Sequence, residues 1–178
     1  MTVTAERTRT APTIRMPMSR RVRQGLLTAH IVLSVGLLGD SAGFLAVAIR
    51  AAGDPTDAGD LVETLQMFSA VFGIPLSFGA LLSGIALSLG TKWGVFRYPW
   101  VTIKLGLIAS VILVGALIIG PNAETMRATG ADTTAWLIGA AAYDVAALTL
   151  ATVLSVFKPG KRFRRRLTGS AEGGRPPA

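Results

Sequence analysis

Four long apolar segments, at 25–49, 64–90, 99–120 and 135–157, constrain this chain more than any other feature. Crossing the hydrocarbon core of a bilayer takes about 20 predominantly apolar residues in a helix, and all four segments reach that length. A water-soluble helical core is the rival reading, but unbroken runs such as Leu105–Gly120 have no polar face to turn to water. The expected fold is all-α: a polytopic membrane protein built as an antiparallel bundle of four transmembrane helices with short connections.

Charge supports this division. Charged residues are 16% of the chain, below the roughly 25% of soluble domains, and the basic ones gather at the segment ends. Arg7, Arg9, Arg15, Arg20, Arg21 and Arg23 precede the first span, Lys92 and Arg97 separate the second from the third, and Lys158, Lys161, Arg162, Arg164, Arg165, Arg166 and Arg175 follow the fourth. The other two connections hold Asp54, Asp57, Asp60, Glu63, Glu124 and Asp132 against Arg50 and Arg127. Because Lys and Arg collect in cytoplasmic loops, both termini are expected in the cytoplasm of a multi-pass protein of the bacterial plasma membrane. Trp93, Tyr98 and Trp100 would anchor the inner interface and Trp136 the outer one.

The organisation that follows is a basic, disordered N-terminal segment (1–23), a transmembrane domain (24–157) and a polybasic tail (158–178). Ser19-Arg20-Arg21 resembles a twin-arginine signal and Ala46-Val47-Ala48 a cleavage site, but the apolar run is too long and Asp40 interrupts it. The first span is expected to be retained. The net charge of +8 fits anionic lipid at the basic termini, where each Lys or Arg contributes about 1 kcal/mol. No aromatic platform accompanies these charges, so nucleic acid is not an expected partner. Without cysteine there is no disulfide, thiolate metal site or cysteine nucleophile.

Helices in lipid associate where small residues let backbones approach. Span two carries Ser69, Gly73, Ser77, Ala80, Gly84 and Ser88 on one stripe, with Pro75 expected to kink it. Span four places Ala140, Ala141, Ala147, Ala151 and Ser155 on the face of Asp144, and span one sets Asp40 between Gly36 and Gly43, with a Gly39-xxx-Gly43 pattern beside it. These faces allow a homo-oligomer or a partner in a membrane complex.

The spans hold few polar residues that are costly in lipid, so each requires a partner or a purpose. At a rise of about 1.5 Å per residue, His30 and Lys104 lie about 8 Å from the cytoplasmic ends of their spans, Asp40 about 22 Å and Asp144 about 20 Å. The inner layer is therefore His30 with Lys104, a polar site expected between helices one and three. The outer layer is Asp40 with Asp144, and Arg50 and Gln66 lie nearer the outer surface. Two ionised carboxylates at one depth repel, so either one holds a proton or Arg50 or Lys104 neutralises them. A proton relay, a cation site and a structural network remain open for the aspartates. His30 can ligate haem iron, shuttle protons or bond across helices. As the chain's one histidine it excludes bis-histidine haem within one copy, and Met67, the methionine inside a span, lies near the opposite surface.

Leu27-Thr28-Ala29-His30, the run to Gly43-Phe44-Leu45 with Arg50 closing the helix, Phe72-Gly73-Ile74-Pro75 through Gly84, and Trp100-Val101-Thr102-Ile103-Lys104-Leu105 resemble an uncharacterised family of bacterial four-helix integral membrane proteins. More distantly they are similar to the HemJ-type protoporphyrinogen oxidases and the copper-resistance D-type membrane proteins. The resemblance covers about residues 24–120. It implies a cofactor site, haem b being the candidate, with His30 as ligand and Lys104 and Arg50 beside it, and a membrane oxidoreductase if the chain is an enzyme. The family's tryptophan in the first helix and its additional histidines are absent here. No metal ligand beyond His30 on haem iron is implied, and no catalytic motif stands in the sequence. Three functions remain: a haem- or porphyrin-binding membrane protein, a non-enzymatic membrane subunit or scaffold, and a small proton- or ion-coupled carrier using Asp40 and Asp144.

Overall fold

The computed structural model describes residues 18–53, 58–90 and 99–157. They form four helical rods and, among the described residues, no strand. Helix α1 spans Arg20–Gly53. Helix α2 comprises Ala58–Phe68, one wide π turn at Ser69–Gly73, and Ile74–Gly90. Helix α3 is built the same way from Pro99–Val114, a π turn at Gly115–Ile119 and Gly120–Thr129. Helix α4 spans Thr134–Phe157. All four are long and apolar enough to cross a membrane. Trp93, Tyr98, the residues before Met18 and the polybasic tail lie outside the described residues.

Both π turns have one cause. Each ends two residues before a proline, at Gly73 ahead of Pro75 in α2 and at Ile119 ahead of Pro121 in α3. A proline ring in an α-helix clashes with the carbonyl four residues back and donates no hydrogen bond. Widening the preceding turn removes the clash: the Ile74 amide reaches back five residues to the Ser69 carbonyl, and the Gly120 amide to that of Gly115. The kink expected at Pro75 is thus a local π turn. The same device carries α3 past Pro121, so this rod ends at Thr129 rather than at Gly120. Gly130, with φ of 68°, stops it in the left-handed region that glycine enters without strain, and its amide caps the Met126 carbonyl at 2.9 Å. Asp132 accepts the Thr134 amide at 3.0 Å and starts α4.

The rods pack in a square. α1 lies against α2 and α4, α3 lies against α2 and α4, and α1 and α3 face each other across the diagonal without extended contact. Two apolar clusters fill the interior. One joins Leu37, Val111, Ala147 and Leu148, with Leu76 and Leu107 packed on it. The other joins Phe44, Ala48, Leu65, Ile119, Ala123, Leu137, Ala140 and Ala141. The exterior is apolar too: Val32, Val35, Leu82, Leu113 and Leu117 are exposed, and α3 buries only Val111, Ile119 and Ala123. Exposed apolar area on this scale suits a lipid surround rather than water.

Small residues set the α1–α2 contact. A Cβ added to Gly84 would lie 3.1 Å from His30 Cε1, one on Gly79 3.1 Å from Leu33, one on Gly36 3.4 Å from Leu76, and one on Gly73 3.1 Å from Asp40 Oδ2. The span-two stripe is therefore a packing face, with Ser77, Ala80, Ser83 and Ser88 buried along it. The Gly39-xxx-Gly43 pattern plays no such part within the chain, since a Cβ on either glycine would meet nothing within 4 Å.

A candidate proton site in the four-helix bundle

The antiparallel pairing of α1 and α4 sets the depth of the aspartates. Leu37 clusters with Ala147 and Leu148, while Ala48 clusters with Leu137 and Ala140. A register that matches 37 with 148 and 48 with 137 brings Asp40 level with Asp144. The two carboxylates thus share the layer between the apolar clusters, in company with the buried Ser41 and the π turn of α2. The equal depth expected from helical rise holds in the folded bundle.

Their surroundings differ. Asp144 is 5% exposed, on the α4 face that also buries Ala140, Ala141 and Ala147. Asp40 is half-buried on the neighbouring face of α1 and packs on Gly73 of the π turn. That turn leaves oxygen available nearby: Ile74 bonds Ser69 rather than Ala70, and Pro75 has no amide to offer, so no α- or π-register donor remains for the Ala70 carbonyl. Both aspartates carry a buried Oδ1 without a hydrogen-bond partner. Neither forms an ion pair with Arg50 or Lys104; among the described residues the ion pair is Arg127 with Glu124, near the far ends of α2 and α3, where Gln66 also bonds Glu124 at 3.2 Å. Neutralisation of the aspartates by Arg50 or Lys104 is therefore not what the fold provides.

The inner layer divides between two helix pairs. His30 Nδ1 lies 2.9 Å from Ser83 Oγ on α2, and Lys104 Nζ donates to Ser155 Oγ on α4 at 2.5 Å. The polar site expected between helices one and three is accordingly two serine-anchored contacts on the α1–α2 and α3–α4 seams, although Lys104 is close enough for its charge to act on the imidazole. Hydrogen-bond geometry assigns the neutral tautomer of His30. Ser83 has one proton, and carbonyls of its own helix compete for it, Gly79 at 2.6 Å and Ala80 at 3.2 Å. With that proton on a carbonyl, Nδ1–H donates to Ser83 Oγ and the lone pair is assigned to Nε2.

Arg50 is exposed in the last turn of α1, about 30 Å along the helix from His30 at 1.5 Å per residue. His30, Lys104 and Arg50 do not converge on one site. Among the described residues no group of three or more His, Cys, Asp and Glu side chains is placed to hold a metal ion. The π turn beside Asp40 is the feature that sequence reasoning missed, and the signal for it was Pro75 together with the glycine two residues earlier.

Comparisons with protein-family models, with curated proteins and with solved structures return no match.

Proposed function

We propose that this chain is a multi-pass plasma-membrane protein, with both termini cytoplasmic, in which Asp40 and Asp144 bind and release protons within the bilayer, as in a small proton-coupled carrier. The observation that carries the reading is the buried Oδ1 of Asp144, without a partner and level with the equally unpartnered Oδ1 of Asp40. A structural carboxylate is retained by hydrogen bonds or by a counter-charge, and an unmatched ionised one in an apolar interior is costly. Two such groups at one level, with no basic side chain paired to them, are made electrically neutral by protons. The distribution of Lys and Arg supports the orientation, and the apolar exterior supports insertion.

A carbodiimide, which attacks protonated carboxyl groups in apolar surroundings, tests the proposal. In liposomes, peptide mapping should find the adduct on Asp144, forming faster as pH falls. Labelling suppressed by excess sodium or potassium at constant pH would assign the site to a metal cation instead. An unmodified Asp144, with the reagent reaching other carboxyls in the bilayer, contradicts the reading.

The free Nε2 lone pair of His30 favours a second reading. A histidine whose Nδ1–H is held by a hydroxyl is poised to ligate a metal, and this is the position that resembles the HemJ-type proteins. Haem would be held by His30 with Lys104 near a propionate, and Arg50 stands too far along α1 to join them. A Soret band in protein purified from haem-replete cells, lost in His30→Ala, is the expected signature; a colourless preparation excludes it.

A further inference from the structure

We infer that the α1–α2 seam is a gated proton path, in which His30 exchanges protons with the cytoplasmic side, Leu33 and Leu76 form an apolar plug, and Asp40 receives the proton beside Asp144. The inference rests on the proton-binding reading of the carboxylate layer and adds how that layer is reached. It starts from a spacing. His30, Leu33, Gly36 and Asp40 recur at three or four residues, hence on one face of α1, and that face meets Gly84, Gly79, Leu76 and Gly73 of α2 in the same order. The titratable histidine and the half-buried carboxylate of α1 therefore open onto one seam, about 15 Å apart along it.

The histidine is set up to exchange. With Nδ1–H held on Ser83 Oγ, the neutral ring takes a proton at Nε2 and becomes imidazolium with an N–H on each nitrogen. Returning that proton to a water restores the neutral ring, so each passage moves one proton and changes no other bond. Delivery forms an O–H bond on Asp40; onward passage to Asp144, level with it on α4, breaks that bond as an O–H bond forms on Asp144, and release to water on the far side returns Asp144 to its starting state. Ser77, whose hydroxyl donates to the Ile74 carbonyl at 2.9 Å and retains its lone pairs, is buried between the two stations. The charged and titratable groups around this path, among the described residues, are Lys104 on α3 at the level of His30 and Asp144 on α4 at the level of Asp40. The α2 side of the seam contributes none.

Between the stations the seam is closed by two leucines seated reciprocally on glycines. The Leu33 methyls lie 3.1 and 3.2 Å from where a Cβ of Gly79 would stand, and the Leu76 methyls 3.4 and 3.5 Å from that of Gly36. Contact this close leaves no volume for water, which needs about one probe sphere and several polar partners. Leu33 rests on Gly79, whereas Leu76 rests on Gly36 and also packs on the cluster of Leu37, Val111, Ala147 and Leu148, so the seam opens by a rotamer change of Leu33 together with a shift of Leu76 against that cluster. The path is thus shut at rest and opened by two side chains.

The test uses the full-length protein in phosphatidylcholine vesicles containing a trapped pH-sensitive dye, after a pH jump. The Leu33→Ala/Leu76→Ala variant should pass protons about tenfold faster than wild type, equivalent to about 1.4 kcal/mol off the barrier. Adding His30→Gln to that background should return the rate to the wild-type level. Should the double variant fail to fold, Leu76→Val, which removes one methylene, must still raise the rate. A leak that does not rise in a folded variant, or that rises and ignores His30→Gln, overturns the path. Carbodiimide labelling of Asp144 in the same samples separates the two claims: labelling without a leak removes the path and leaves the proton site, whereas absent labelling removes the site itself.

Discussion

Replacing Asp144 with valine should stabilise the folded bundle. Asp144 is 5% exposed and flanked on α4 by Ala140, Ala141, Ala147 and Leu148, and its Oδ1 has no hydrogen-bond partner. A buried polar atom left unpaired costs about 1–3 kcal/mol. Valine removes both oxygens, branches at Cβ and reaches no further than Cγ, so the alanine-lined site takes it with little crowding. Its lower helix propensity subtracts a few tenths of a kcal/mol. The net expectation is a gain of about 1–3 kcal/mol, within the range of about 1–4 seen when buried ionic groups give way to apolar residues of similar volume. Unfolding in mixed micelles, followed by helical circular dichroism as the denaturing detergent fraction rises, measures it. The midpoint should move toward more denaturant while carbodiimide labelling at residue 144 disappears. A loss of more than about 1 kcal/mol would refute the reasoning, because it would mean that the carboxylate holds the bundle together through partners that the geometry does not show.

Three further outcomes follow from the same geometry. Gly73→Ala places a methyl 3.1 Å from Asp40 Oδ2, so the carboxylate must shift by a few tenths of an ångström; the expected result is a changed rate of Asp40 modification with a stability loss below about 1 kcal/mol. Gly39→Leu adds a side chain where nothing lies within 4 Å, so unfolding should stay within about 0.5 kcal/mol of wild type, and any effect should show as altered oligomer size in crosslinking. The amide of Thr134 bonds Asp132 and holds its carboxyl below the usual carboxylate range. The stabilisation this gives to the start of α4 is present above the unfolded pKa and is lost as pH falls through the folded value; the acid-side loss of helix stability should be smaller in Asp132→Ala, read by circular dichroism.

The architecture was legible because its causes are local. Four apolar runs of sufficient length decide four helices, and Gly73, Ala80 and Gly84 at helical spacing decide the face on which α2 meets α1. The depth of Asp40 and Asp144 followed from counting residues, since helical rise is nearly constant. Partners were less legible, because they depend on the order of helices around the square. Sequence placed His30 and Lys104 at one level and suggested a shared site, whereas the fold puts their helices on a diagonal and gives each its own serine. Small-residue patterns were likewise ambiguous: Gly73 and Gly84 carry a helix contact, while a Cβ on Gly39 or Gly43 would meet nothing within 4 Å among the described residues. Proline signalled an interruption without its form, since widening to a π turn depends on the turn before it adapting without breaking.

An infrared difference spectrum of the protein in lipid, recorded across a pH step, tests the central claim most directly. A carboxyl group protonated in an apolar interior shows a carbonyl stretch distinct from that of a carboxylate. The account predicts a band of this kind that grows as pH falls, disappears in Asp144→Asn and shifts in Asp40→Asn, as expected of two groups at one level. A spectrum without such a band, or one that Asp144→Asn leaves unchanged, would contradict it.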